Sequence, residues 1–140
     1  MTAELSITLR NDLSEIPRVT EAVEGFGEAH AVGEKVIFAM TLALDEVLTN
    51  VITYAFPKDD PGPRAIHVDV SLTNGVVRAM VRDDGRAFDP LTEVPPPDLD
   101  ASIDDRAIGG LGVHFLRTLM DGCSYSRRGD RNELEFFKNL

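Results

Sequence analysis

The stretch VIFAMTLALDEVLTN, residues 36–50, runs apolar from Val36 to Leu44, broken only by Thr41. It then sets Asp45, Glu46 and Asn50 among leucines and valines. A carboxylate inside an apolar helix is costly unless it is paired, exposed or used. At about 100° per residue, Glu46 and Asn50 lie on one helix face, with Ala39, Ala43 and Thr53. Met40, Leu44, Val47, Leu48 and Val51 point elsewhere. One side of this helix therefore packs on a core. The other is a strip of small residues carrying one carboxylate and one amide. The carboxylate suits a general base, and the amide oxygen is a hard ligand suited to Mg²⁺. A solvated helix face is the plain alternative for the pair on its own.

Outward from this helix, predicted from about Glu34 to Tyr54 and closed by Pro57 and DDPGP, the pattern resolves into elements. Leu5, Ile7 and Leu9 alternate with Ser6, Thr8 and Arg10, the period of a strand. Ser14 reads as a helix N-cap with Pro17 in the first turn, and Val19, Ala22, Val23 and Phe26 recur at helical spacing until Gly33 breaks the run. Ile66, Val68 and Val70 mark a strand, Asn74-Gly75 a hairpin turn, and Val76 to Val81 its partner. A polar, proline-rich segment follows, about residues 90–108; a loop of that length in a compact domain is usually functional. IGGLGVHFLRTLMD reads as a glycine turn opening a helix. Two strands, Ser124 to Arg127 and Glu133 to Phe137, close the chain around GDRN. The order implies an α+β two-layer sandwich, a mostly antiparallel mixed sheet covered on one face by three helices, in a single domain over residues 1–140.

Two further clusters could carry chemistry. Asp83-Asp84-Gly85-Arg86-Ala87-Phe88 stands at the end of a strand. An aspartate there can accept a hydrogen bond from an exocyclic amine, and Gly85 would let the backbone approach a ligand; a plain Asp-Gly turn fits the same residues. Gly109-Gly110-Leu111-Gly112 opens the next helix, where exposed N–H groups and the helix dipole favour an anion. A hinge to the preceding loop fits equally. Neither a Walker motif nor a parallel βαβ dinucleotide fingerprint is present. Arg86 and Arg106 flank the long loop and could meet phosphates, but solvated side chains are the plainer reading. His30, His67 and His114 have no metal-ligand spacing with Cys123.

Composition narrows the function classes. The chain has 140 residues and a net charge of −10 from 24 acidic and 14 basic residues. An acidic surface repels phosphate backbones, so direct nucleic-acid binding is not expected. A single cysteine, Cys123, is consistent with a reducing compartment. The N-terminus lacks the pattern of a signal peptide, and the apolar run is too short to span a bilayer, so a cytoplasmic protein without membrane attachment is expected.

Taken together and in this order, the three clusters resemble the Bergerat-fold ATP-binding domain of histidine kinases, gyrase, Hsp90 and MutL. ALDEVLTN, the FDP after the Asp-x-Gly box, the GxGxxxLRTLMD run and the NEL near the end look like the bacterial anti-sigma-factor serine/threonine kinases. This resemblance implies ATP and Mg²⁺ as cofactors. It implies Glu46 as the base that activates a partner's hydroxyl and Asn50 as a Mg²⁺ ligand. Asp83, Gly85 and Ala87 would line the adenine site. Gly109, Gly110, Leu111 and Gly112 would wrap the phosphates, with a lid over about residues 90–108. Tyr54-Ala55-Phe56 stands where many relatives have His-Ala-Tyr, Ala87 stands where a second glycine is common, and Leu111 replaces a frequent arginine. The implied function is phosphorylation of a small STAS-type anti-sigma-factor antagonist and sequestration of a sigma factor, by a homodimer in analogy with relatives. An ATP/ADP-binding partner switch without kinase activity is the second reading.

Overall fold

Alternation of Leu5, Ile7 and Leu9 with polar residues becomes strand β1 (Thr2–Arg10) in a computed structural model that describes residues 2–56, 64–92 and 116–140. A 3₁₀ turn, Leu13–Glu15, leads into α1 (Ile16–Ala29), and α2 (Glu34–Asn50) continues without interruption into a π-helical stretch, Val51–Ala55. Strands β2 (Ala65–Thr73) and β3 (Val76–Asp83) form a hairpin, and β4 (Gly122–Arg128) and β5 (Arg131–Asn139) form another. Residues 116–119 are helical. The expected closure of the long helix at Pro57 and DDPGP falls on residues outside those described.

The sheet order is β1-β2-β3-β5-β4. A mostly antiparallel sheet was expected, and all the pairings among the described strands are antiparallel. Its register puts Val68 opposite Val81 and Val81 opposite Leu134, with Val70 opposite Ala79 and Ala79 opposite Phe136. These side chains are buried in one core with Val19 and Val23 of α1, Met40, Leu44 and Leu48 of α2, and Leu116. Burying each such side chain contributes roughly 1.5–3 kcal/mol relative to exposure, so the layer contact dominates the fold's stability. The opposite face is polar: Arg82 donates to Asp69 across 2.7 Å, and Arg78 pairs with Glu135. The helices therefore cover one side alone, which gives the two-layer sandwich.

By length and mean hydropathy, 1.6, the continuous helix Glu34–Ala55 could cross a bilayer. Its apolar stripe instead faces the sheet, with Met40, Leu44, Val47, Leu48 and Val51 at 4% exposure or less.

Two local expectations are corrected. Ser14 is not the cap of α1. The Asp12 carboxylate accepts both the Ser14 N–H and the Ser14 hydroxyl at 2.9 Å, capping the 3₁₀ turn, and α1 has Glu15 at its N-cap position, with no side-chain cap. An ionised carboxylate is the stronger acceptor, so the turn starts two residues earlier. Nor does Gly33 break the first helix. Ala31 takes the left-handed conformation, φ 55°, while Gly33 is extended. The Val32 N–H donates to the Gly27 carbonyl at 2.9 Å and the Ala31 N–H to that of Glu28 at 3.5 Å. This is a Schellman closure with alanine where glycine is usual, held by burial of Val32. The Asn74-Gly75 turn is as expected, with φ 53° and 76°. The second hairpin is tighter than GDRN suggests: Arg128 pairs with Arg131, which leaves Gly129-Asp130 as the loop.

Candidate active site

The small-residue strip of α2 turns inward. Ala39 and Ala43 are buried, and Asn50 is 1% exposed. Glu46 is half-buried, whereas its neighbour Asp45 is exposed. Among the described residues, Glu46 Oε2 and both amide atoms of Asn50 are buried without a hydrogen-bond partner. Such orphaned groups cost about 1–3 kcal/mol each, and they recur where a protein keeps groups for a ligand. Burial, assisted by the charge of Asp45, pushes the Glu46 carboxyl above its ordinary value. A carboxylate raised in this way takes a proton more readily, which suits a general base. An orphaned, buried amide oxygen on Asn50 also fits a hard cation such as Mg²⁺.

Asp83 ends β3, on the side covered by the helices, and is 3% exposed. Its Oδ1 accepts the Gly85 N–H and an N–H of Asn132, each at 2.9 Å. Burial raises the Asp83 carboxyl, and the bonds from Asn132 and Gly85 oppose that rise. The loop that follows is gripped from two sides. From the helix side, the Ala55 carbonyl accepts the Arg86 N–H at 2.9 Å, the Tyr54 carbonyl accepts Arg86 Nε at 2.8 Å, and the Tyr54 and Phe88 rings lie 5.6 Å apart. From the sheet side, Arg127 donates to the Gly85 carbonyl at 2.8 Å, and Asn132 donates to that of Arg86 at 2.8 Å.

Gly85 has a role that the sequence alone did not reveal. A Cβ there would stand 2.5 Å from the Ala55 carbonyl oxygen and 2.9 Å from Asp83 Oδ1. The close approach that demands glycine is to the protein's own helix end. Gly85→Ala should therefore lower stability by about 1–3 kcal/mol through overpacking against backbone. A thermal melt beside wild type checks this; an unchanged midpoint would mean that the loop is free to shift.

Of the other expected site residues, Ala87 is exposed beside this loop. Gly109, Gly110, Leu111, Gly112 and Arg106, with the lid beyond Thr92, lie outside the described residues. Arg86 was expected to be a solvated side chain. Its guanidinium is tied to the Tyr54 carbonyl because the helix end leaves that acceptor facing the loop. A cavity of about 630 Å³ bordered by Gly27, Ile37, Phe38, Ala39 and Leu119 sits toward the start of α2, and neither Glu46, Asn50 nor Asp83 lines it.

Asn132, Arg127 and Tyr125 went unassigned in the sequence. Asn132 had a readable signal: it occupies the inward position of the series Asn132, Leu134, Phe136, where an amide is out of place unless it has partners. Arg127 and Tyr125 had none, because β4 is too polar to show which face is inward.

The model of the histidine kinase-like ATPase domain matches residues 9–138. The chain belongs to this family. Among curated relatives of this ATPase domain, serine/threonine-protein kinase BtrW of Bordetella bronchiseptica is 40% identical over 98 residues, covering 69% of this chain and 66% of BtrW. Serine-protein kinase RsbW of Listeria monocytogenes is 32% identical over 85 residues, covering 59% of this chain and 53% of RsbW. The aligned part of the chain thus spans between half and two thirds of these relatives. The RsbU and RsbW domains of Rv1364c from Mycobacterium tuberculosis share the fold, with a TM-score of 0.69 at 17% identity, covering 99% of this chain and 32% of that one. The histidine kinase domain of Erythrobacter litoralis EL346 does so at 0.54 and 19% identity, covering 91% of this chain and 60% of that one.

Proposed function

We propose that this ATPase domain is an ATP-dependent serine/threonine-protein kinase and anti-sigma factor. It phosphorylates a small STAS-type antagonist and, when free of it, holds a sigma factor. The observation that carries this reading is the pair of orphaned polar groups on α2: Glu46 Oε2 and the Asn50 amide, buried and unpartnered among the described residues. A module that only bound nucleotide would have no use for an unpaired buried carboxylate with a raised pKa.

In this reading Asp83 accepts from the adenine amine, with Gly85 and Ala87 beside it. Gly109, Gly110, Leu111 and Gly112 receive the phosphates on their N–H groups. Asn50 would hold Mg²⁺, which supplies charge neutralisation at the phosphoryl group. Glu46 accepts the proton of the incoming serine or threonine hydroxyl as its oxygen bonds to the γ-phosphorus and the bridging oxygen leaves with ADP. The names of BtrW and RsbW support the reaction class, and the shared fold supports the site's layout. A cytoplasmic homodimer fits the same reading.

The test is incubation of the chain with γ-labelled ATP, Mg²⁺ and candidate STAS proteins encoded near it. Label on a serine or threonine of one of them is expected. ATP binding with no transfer to any of them would favour the partner-switch module.

A further inference from the structure

We propose that Asn132 is the positioning residue that sets base selectivity, by fixing Asp83 as a hydrogen-bond acceptor toward the ligand. This rests on the nucleotide-binding reading and goes beyond it, because it assigns the choice of base to a residue on a different strand.

Asn132 stands directly opposite Asp83 in the β3–β5 ladder, and each is 3% exposed. The amide is used at both ends. Its Nδ2 donates to Asp83 Oδ1 at 2.9 Å and to the Arg86 carbonyl at 2.8 Å. Its Oδ1 accepts the Phe88 N–H at 3.1 Å, Arg127 Nη1 at 3.2 Å and the Tyr125 hydroxyl. An amide turned over would set its NH₂ against three donors and its oxygen against two acceptors. The surrounding network therefore dictates which end faces Asp83.

The consequence falls on Asp83. Both of its donors, Asn132 Nδ2 and the Gly85 N–H, converge on Oδ1. Oδ2 takes no hydrogen bond among the described residues. A carboxylate held at one oxygen presents the other as an acceptor, so the ligand group that meets it must donate. A 6-amino purine donates there. A 6-oxo purine sets lone pair against lone pair. Without the Asn132 bond, the buried carboxyl would be freer to rotate and to hold a proton, and could then donate to an oxo group. Tyr125 and Arg127 contribute by fixing the amide; Asn132 alone reaches Asp83.

The experiment is titration of the full chain with ATP and with ITP, in the presence of Mg²⁺, for wild type and Asn132→Leu. Wild type should prefer ATP by roughly 100-fold, the scale of losing one hydrogen bond to a charged group. Asn132→Leu should weaken ATP at least about tenfold while ITP moves within about threefold, so that the preference collapses. Equal losses for both nucleotides, which leave the ratio unchanged, would mean that Asn132 merely supports the loop and would overturn the proposal. Where Asn132→Leu melts below the assay temperature, Asn132→Ala serves instead: it removes the donor without crowding the site, and the same collapse is expected. A wild type that binds neither nucleotide would defeat the nucleotide reading itself, a result separable from either outcome in the variants.

Discussion

Replacing Glu46 by Gln is expected to slow phosphotransfer to the antagonist by about 10²–10⁴-fold, the usual contribution of a positioned general base. ATP affinity should stay within about threefold, since the substitution keeps the shape and removes no proposed nucleotide contact. The buried Oε2 has no partner among the described residues, so the amide gives up no protein hydrogen bond at that atom. The same variant carries a stability signature. The folded-state carboxyl is raised by burial and by Asp45, so ionising it costs folding free energy. In the unfolded chain a glutamate titrates near about 4.3. Between that value and the raised folded value, the native state holds a proton that the unfolded state has lost, so wild-type stability falls as pH rises through the window. Glu46→Gln should therefore melt higher than wild type at pH 8, with the advantage fading at pH 4. Full phosphotransfer by the variant would remove Glu46 as the base. Intact signalling without any transfer in either protein would establish the partner-switch module.

Asp83→Asn should weaken ATP binding by roughly 100-fold or more, because a buried polar site that loses its matched acceptor rejects the ligand strongly. The new amide must satisfy two donors at Oδ1, the Gly85 N–H and Asn132 Nδ2, which forces its oxygen to that side. Its NH₂ then points where Oδ2 was, a donor facing the adenine amine. Both lost attraction and gained repulsion act in one direction. The fold should survive, since a buried charge is removed and both donors keep an acceptor. Calorimetric titration with Mg²⁺-ATP beside a thermal melt separates the two effects. Unaltered affinity in a folded variant would place the base elsewhere.

Why some of this was readable beforehand follows from where the information sits. Glu46 and Asn50 stood out because a four-residue spacing on an apolar helix is a local, periodic signal, and Asp83 because it ends a strand that alternates cleanly. The hairpin at Asn74-Gly75 was legible for the same reason, as both residues tolerate positive φ. Asn132 was harder. The role proposed for it comes from a cross-strand partner 49 positions away, and distance along the chain says nothing about register. Arg86 looked solvated because exposure and attachment are different properties: its guanidinium is exposed yet bonded to Tyr54. Ser14 and Gly33 were misread because propensity ranks residue types, whereas a neighbouring carboxylate or a buried valine decides which member of a short polar run does the work.

The junction of Ala55 with Gly85 and Arg86 has one more implication. The helix that carries Glu46 and Asn50 and the loop that carries Asp83 are joined main chain to main chain, at a contact too close for any side chain to intervene. In the proposed reading, the span from the purine end of the site to the phosphoryl end would then be a fixed gauge length, written in peptide geometry rather than in rotamers. On that reading a nucleotide would be admitted by how far its two ends lie apart as well as by what they are, and substitutions along the interval would alter grip at either end without changing the calibration between them.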